Sequence, residues 1–334
     1  MKLSIVIPAL NEEENILETI AELRTAIGES GDIVEAHEII VVDDHSADNT
    51  FETVAGLNSP NLRAIRLSRR SGSHLAIRAG LATATGDGAL CISADGQDDP
   101  RMLRQMLERW RDGDNIVWAL RKGRENEPLA QRLFAKSFYR LLAWFGSAPA
   151  GIDLSRADFY LLDRKVVGAI NACPERNTSL FGLVAWLGFR QGWVEYDRKR
   201  RRAGTSGWNF RSRLRLAMDW IIAFSGVPLK LMTVAGFLIA GLGFLYALLV
   251  IARSILYGSP LVGWSSVMTA ILLLGGGQMM MLGIIGEYLW RTLDESRNRP
   301  AYFIERDSGE NSSGPACSIA SRQTSGVLPE TGNR

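Results

Sequence analysis

Two stretches without a charged residue, 231–252 and 264–286, constrain this 334-residue chain more than any other feature. At about 1.5 Å per residue, the first is long enough as a helix to cross a hydrocarbon core of about 30 Å. Long helices that are uncharged on every face seldom belong to a soluble domain of this size. Both stretches are therefore expected to be transmembrane helices, joined by the turn-prone Tyr257-Gly258-Ser259-Pro260. Lys and Arg are dense before the first stretch, and Arg291, Arg297 and Arg299 follow the second, whereas the connection carries only Arg253. Positive-inside bias then predicts a multi-pass membrane protein with both termini cytoplasmic and the lipid bilayer as a partner.

The rest of the chain reads as α/β. Short β-rich runs at 3–7, 37–42, 61–67 and 88–93 alternate with helical segments. Ile16, Ile20, Leu23 and Ile27 recur at helical spacing, Asp48 caps a helix with Phe51 and Val54 inward, and 73–81 forms another helix. Further strands are expected at 115–119, 158–162 and 193–196, with helices at 129–145 and 180–187. Strands alternating with helices imply a mostly parallel central sheet with both faces covered. Ligands of such sheets bind beyond the carboxyl ends of the strands. Three acidic clusters lie at such ends: 11–14, Asp43 with Asp44, and Asp95 with Asp98 and Asp99. That placement points to ligand binding and is hard to explain as solvation alone.

Composition narrows the choice. Thirty-eight basic and 36 acidic residues nearly cancel, so net charge says little, but bases cluster between Arg198 and Arg215. Beside two apolar stretches, that cluster is read as facing lipid phosphates and not nucleic acid. Phe210, Leu214, Met218 and Ile221 can share one helical face opposite Arg211, Arg213 and Arg215, which predicts an interfacial helix over 209–228. Three cysteines, Cys91, Cys173 and Cys317, disfavour a disulfide framework or a cysteine zinc site, and fit a reducing compartment. His37, His45 and His74 lack helical metal-ligand spacing. Met1-Lys2 leads straight into the first strand without a signal peptide, which places that domain in the cytoplasm. From Asp307 onward the chain is polar and rich in Ser and Gly, the composition of a disordered tail. Its Leu328-Pro329-Glu330-Thr331-Gly332 matches a sortase pattern, read as coincidence or an appended tag. The expected organisation is a catalytic domain over 1–208, the interfacial helix, a helical hairpin over 229–290, a cytoplasmic segment over 291–306 and the tail.

The acidic strand ends carry a family resemblance. Ile5-Val6-Ile7-Pro8-Ala9-Leu10-Asn11-Glu12 followed by Val41-Val42-Asp43-Asp44-His45-Ser46 resembles the opening of family-2 glycosyltransferases of the GT-A fold. Asp95-Gly96-Gln97-Asp98 resembles their metal-binding segment. Phe181-Gly182-Leu183-Val184-Ala185-Trp186, Phe224-Ser225-Gly226-Val227-Pro228-Leu229 and Leu282-Gly283-Ile284-Ile285-Gly286-Glu287-Tyr288 are similar to polyprenyl-phosphate glycosyltransferases. That group includes dolichol-phosphate mannose synthases and bacterial undecaprenyl-phosphate hexose transferases. The resemblance covers roughly residues 2–304.

It implies an inverting hexosyltransferase that moves a sugar from a nucleotide-sugar to polyprenyl (undecaprenyl) phosphate in cell-envelope glycan biosynthesis. Pro8, Glu12, Asp43 and Asp44 would hold the nucleoside, and Arg121 and Arg124 the phosphates. Asp95 and Gln97 would ligate a divalent metal, Mg²⁺ or Mn²⁺, which stabilises the charge growing on the diphosphate leaving group. Arg201 would lie close to the acceptor phosphate, and Asp158 matches an aspartate assigned as general base. A phosphomonoester with a second pKa near ~6 is largely dianionic at neutral pH and hardly needs a base. Asp158 is accordingly expected to position as much as to accept a proton.

Several positions depart from the family pattern. Ser93 stands where an Asp is usual, Asp99 replaces Pro, and Tyr160 and Phe181 each replace an Arg. Gly207 stands where Lys often follows Ser206. The lost carboxylate puts metal affinity and sugar orientation at issue, with Asp99 a candidate to compensate. Two other readings stay open: the same fold acting on another lipid or glycan acceptor, and a catalytically silent scaffold. Self-association through the paired helices is open as well.

Overall fold

Residues 3–7 are buried at five successive positions, the mark of a strand covered on both faces rather than one. They lie in β1 (Lys2–Ala9), the centre of the computed structural model, which describes residues 1–122, 156–173, 175, 179–197, 227–257, 263–297 and 299–309. α1 (Ile16–Glu29) buries Ile16, Thr19, Ile20, Leu23, Ala26 and Ile27, the helical stripe expected from the sequence. Then follow β2 (Ala36–Asp43), α2 (Thr50–Ala55), β3 (Leu62–Leu67), α3 (Ser73–Thr83) and β4 (Gly88–Cys91). α4 (Leu103–Arg111), β5 (Ile116–Arg121), β6 (Ala157–Asp163), α5 (Arg164–Ala172), α6 (Leu180–Trp186) and β7 (Gln191–Tyr196) complete the first part. The N-cap of α2 is Asn49, one residue later than expected and without a side-chain cap bond, while Asp48 Oδ1 accepts the Thr50 N–H at 3.1 Å from just outside the helix.

The strands form one eight-stranded sheet in the order β7-β5-β6-β4-β1-β2-β3-β8, where β8 is Ile304–Asp307. β1 runs parallel to both β2 and β4, β2 parallel to β3, and β5 parallel to β7. β6 and β8 run antiparallel to their neighbours. The chain leaves β1 to one side for β2 and β3, then returns to its other side with β4. Such a reversal opens a crevice at the carboxyl ends of the two strands flanking it. The β1–β4 ladder ends at Val6↔Cys91, so Pro8 lies past it and costs no bond on that flank.

The C-terminal helices α7 (Val227–Tyr257) and α8 (Trp264–Ser296) pack against each other as a hairpin. Their assignment as membrane spans is corrected here: among the described residues no helix is long and apolar enough to cross a membrane. In α8 the described stretch 274–296 is diluted by Gly275, Gly276, Gly277, Gln278, Gly283 and Gly286 and by the charged Glu287 and Arg291. The multi-pass membrane topology inferred from these helices is withdrawn with them. The expected helices over 129–145 and 209–228 and the tail beyond residue 309 lie outside the described residues.

After α8 the chain returns to the sheet, where a plain segment was expected. β8 adds to the free edge of β3, and Arg63 grips Asp307 with Nε and Nη2 at 2.8 and 2.6 Å. Arg306 donates to Glu52 at 2.8 Å with its guanidinium 4.3 Å from the Phe51 ring centre. An otherwise open strand edge is thereby covered.

Candidate active site

The three acidic clusters expected at the strand ends are distinct in local structure. At the end of β1, Asn11 adopts a left-handed backbone with φ 56°, and His45 after β2 does the same at 60°. The two turns lace together: the Asn11 N–H donates to Ser46 Oγ at 2.9 Å, and the Ala47 N–H donates to Asn11 Oδ1 at 2.8 Å. Glu12 accepts from Asn15 Nδ2 at 2.7 Å, and its own N–H donates to Thr50 Oγ1 at 3.0 Å.

Asp43 is fully buried. Its Oδ1 accepts the Ser46 N–H at 3.1 Å and its Oδ2 accepts Arg66 Nη1 at 2.8 Å. Arg66 Nε in turn lies 3.4 Å from Glu305 of β8. Asp44 receives the backbone N–H groups of Ser71 and Gly72 at 2.6 and 2.8 Å, yet burial outweighs those bonds and raises its carboxyl above the usual range. Both buried carboxylates are thus held by hydrogen bonds from the fold itself. Arg66 and Ser46 were not singled out in the sequence, because an arginine ending a strand looks like any surface base.

At the end of β4, Gly96 turns the chain with φ 68°, a conformation that favours glycine. Asp95 Oδ1 accepts from Ser93 Oγ at 2.8 Å and from the Gln97 N–H at 3.2 Å. Asp95 and Gln97 are half-buried, whereas Asp98 and Asp99 are buried. Asp99 pairs with Arg101 at 2.7 Å and caps the short turn Pro100–Met102, so its charge is answered locally. The carboxylate beside Ser93 is Asp98: its Oδ2 accepts the Ser93 N–H at 3.1 Å and lies 2.5 Å from Ser93 Oγ. Burial first, and the charge of Asp158 second, push the Asp98 carboxyl up to about 6. A serine hydroxyl has one proton, so its contacts with Asp95 and Asp98 are both hydrogen bonds only when one of those two carboxyl groups is protonated.

Asp158 enters from β6. Its Oδ2 is 3.0 Å from Arg121 Nε and accepts the Tyr196 hydroxyl at 2.7 Å. Tyr196 also reaches Asp98 Oδ1 at 3.1 Å. Together with Asp99, Lys122 and Glu195 it lines a cavity of about 590 Å³. Asp95, Asp98 and Asp158 are thus linked through two hydroxyls, those of Ser93 and Tyr196.

Residues 4–153 match the sequence profile described as "Glycosyl transferase family 2", and residues 227–291 match "GtrB C-terminal hairpin". The uncharacterized glycosyltransferase YkcC of Bacillus subtilis (strain 168) is 38% identical over 308 residues, spanning 92% of this chain and 94% of that protein. This chain is a family 2 glycosyltransferase. It is also 34% identical over 311 residues to a prophage bactoprenol glucosyl transferase homolog of Escherichia coli (strain K12), covering 92% of this chain and 99% of that one. Among solved structures, mannosyl-3-phosphoglycerate synthase from Rubrobacter xylanophilus aligns with a TM-score of 0.47 at 20% identity, covering 66% of this chain and 72% of that one.

Within this glycosyltransferase, Asp95, Gln97, Asp158 and Arg121 are placed on the β4-end turn and on the facing ends of β5 and β6, while Glu12, Asp43 and Asp44 follow β1 and β2. Pro8 sits in β1 itself, opposite Val42 of β2. Arg124 and Arg201 lie outside the described residues. Among those residues no group of three or more His, Cys, Asp and Glu side chains forms a metal cage. Asp95 and Gln97 supply a carboxylate and a carboxamide, hard oxygen donors. Mg²⁺ and Mn²⁺ sites that share substrate phosphates need only one or two protein carboxylates, so the donor set fits such an ion.

Proposed function

We propose that this glycosyltransferase moves a sugar from a nucleotide-sugar to a polyprenyl phosphate, with inversion at the anomeric carbon. The observation that carries the choice of acceptor is the setting of Asp158. Its Oδ2 is engaged by a guanidinium at 3.0 Å and a phenol hydroxyl at 2.7 Å. A carboxylate held this way suits positioning better than proton removal. A phosphomonoester is already mostly dianionic at pH 7, with a second pKa near ~6, and makes no demand for a base. A lipid hydroxyl would. The relationship to proteins named bactoprenol glucosyl transferases supports the same acceptor.

On this reading Pro8, Glu12, Asp43 and Asp44 border the nucleoside, and Arg121 and Arg124 serve the phosphates. Asp95 and Gln97 would hold the divalent ion, which neutralises charge on the departing nucleoside diphosphate. Asp158 aligns the acceptor or the sugar, and Arg201 attracts the acceptor phosphate. One in-line displacement needs no covalent intermediate, which is why inversion is expected.

The test offers the purified full chain a panel of nucleotide-sugars with polyprenyl phosphate in detergent, with and without Mg²⁺ or Mn²⁺. Metal-dependent formation of a polyprenyl-phosphate-sugar from one donor supports the proposal. Absence of product with every donor sinks it.

A further inference from the structure

Tyr196 has a role that neither its sequence position nor the family resemblance assigns. It closes β7, two strands away from β6 in the sheet order β7-β5-β6, and its hydroxyl reaches Asp158 at the start of β6 and Asp98 in the turn after β4. The ring is buried to 2% exposure and packs edge-on against Phe159, with centroids 5.2 Å apart. That packing fixes where the hydroxyl sits. The hydroxyl meets Asp158 Oδ2 at 2.7 Å and Asp98 Oδ1 at 3.1 Å. The Ser93 N–H holds Asp98 at 3.1 Å, and the Ser93 hydroxyl reaches Asp95 at 2.8 Å. One phenol oxygen thus joins the β6 carboxylate to the turn that carries Asp95 and Gln97.

We infer that Tyr196 is a positioning residue of sugar transfer: it sets the distance and angle between Asp158 and the Asp95–Gln97 turn. The inference rests on the transfer reaction proposed above. The physical reason is rigidity. A phenol has one proton to donate, and the shorter contact gives it to Asp158 at 2.7 Å; the same oxygen fills the gap to Asp98 at 3.1 Å, so the buried ring sets the spacing of the two carboxyl groups. A hydroxyl mounted on a buried aromatic ring has little freedom to drift. Misplacing a reacting group by about 1 Å can cost on the order of 100-fold in rate. Such a loss would fall on turnover, since the nucleoside-facing residues at the ends of β1 and β2 lie on the other side of the crevice.

Tyr196→Phe removes the oxygen and keeps the ring. In the full-length enzyme, kcat should fall between about 10- and 100-fold while the donor KM stays within about twofold. In an Asp158→Asn background the same substitution should cost less than about threefold more, because the bridge has already lost its anchor. Thermal unfolding of each variant shows whether the fold is retained. Should Tyr196→Phe fail to fold, Asp98→Asn keeps the shape of the site and weakens the other end of the bridge, and is read in the same way. Wild-type kcat in the folded variant, or losses that multiply fully in the double variant, would overturn the inference. A wild-type enzyme that turns over no donor instead counts against the proposed function, so the two failures are separable.

Discussion

Ser93 Oγ lies 2.5 Å from Asp98 Oδ2, and the Ser93 N–H holds that same oxygen at 3.1 Å. Ser93 occupies the place where a carboxylate is usual in the resemblance that first suggested the family. Its backbone and hydroxyl draw Asp98 to its side and steady Asp95 at 2.8 Å. Asp98, three residues after Asp95, is thereby brought beside it through Ser93, while Asp99, the candidate to compensate, is paired with Arg101 at 2.7 Å.

Ser93→Ala should therefore weaken Mn²⁺ binding in the presence of nucleotide. Groups that orient a metal ligand typically contribute 10- to 100-fold in affinity, and about 10-fold is expected for a single hydroxyl. Mn²⁺ titration followed by electron paramagnetic resonance reads it directly. Unchanged affinity would mean that the hydroxyl does not organise Asp95.

Asp158→Asn separates positioning from base catalysis. If Asp158 positions, the variant loses about 100-fold in kcat, and the loss is the same across pH 6.5 to 8.5, since a misplaced dianionic acceptor gains nothing from added hydroxide. Rates of wild type and variant measured over that range decide the point. Recovery of the variant as pH rises would restore the general-base role.

The β1–β4 half of the sheet was legible because its strands are short apolar runs bounded by acidic turns, and its helices show clear helical spacing, as in Ile16, Ile20, Leu23 and Ile27. The direction of β6 was not. Periodicity gives a strand its faces but carries no sign for parallel or antiparallel pairing. β8 was missed for a different reason: Ile304–Asp307 has two charged residues facing out and becomes a strand only because the edge of β3 and Arg63 receive it. The helical hairpin was read as membrane spans from the apolar composition of 231–252 and 264–286, and the described residues do not sustain that reading. In the site, Asp95 was visible as an acid at a strand end, whereas Asp158 was singled out by the family resemblance alone. Tyr196, Arg66 and the turning of Asp98 toward Ser93 depend on contacts 98, 23 and 5 residues apart in sequence, which no local pattern encodes.

Gly80 marks where α3 lies closest to the sheet. A Cβ at this position would press into Val6 Cγ1 and come within 3.2 Å of Val42 Cγ2. Both valines are fully buried in the central strands and cannot retreat into solvent. Gly80→Ala gains a little helix propensity but overpacks this contact, so the net change should be a destabilisation of about 1–3 kcal/mol. Urea unfolding measures it. A stabilised variant would show that α3 can lift from β1 at no cost.

His74 makes stability depend on pH from within the fold. It opens α3 beside the Phe181 ring, 6.0 Å between centroids, and burial pushes its imidazole down to about 4 from an ordinary 6.5. Below pH 6.5 the unfolded chain binds a proton that the native chain refuses, so protons favour unfolding in this window. The stabilisation is complete above about pH 6.5 and disappears progressively as pH falls towards 4. At 1.36 kcal/mol per pKa unit the shift sets an upper bound of about 3 kcal/mol for this one residue. His74→Phe keeps an aromatic ring in the same packing but has no proton to bind. Relative to wild type it should therefore gain stability between pH 7 and pH 4.5, while the carboxylates contribute equally to both proteins and cancel. Urea unfolding of the pair at the two pH values isolates the difference. An identical gap between them at pH 7 and pH 4.5 would show that the imidazole protonates in the native state as freely as in the unfolded chain.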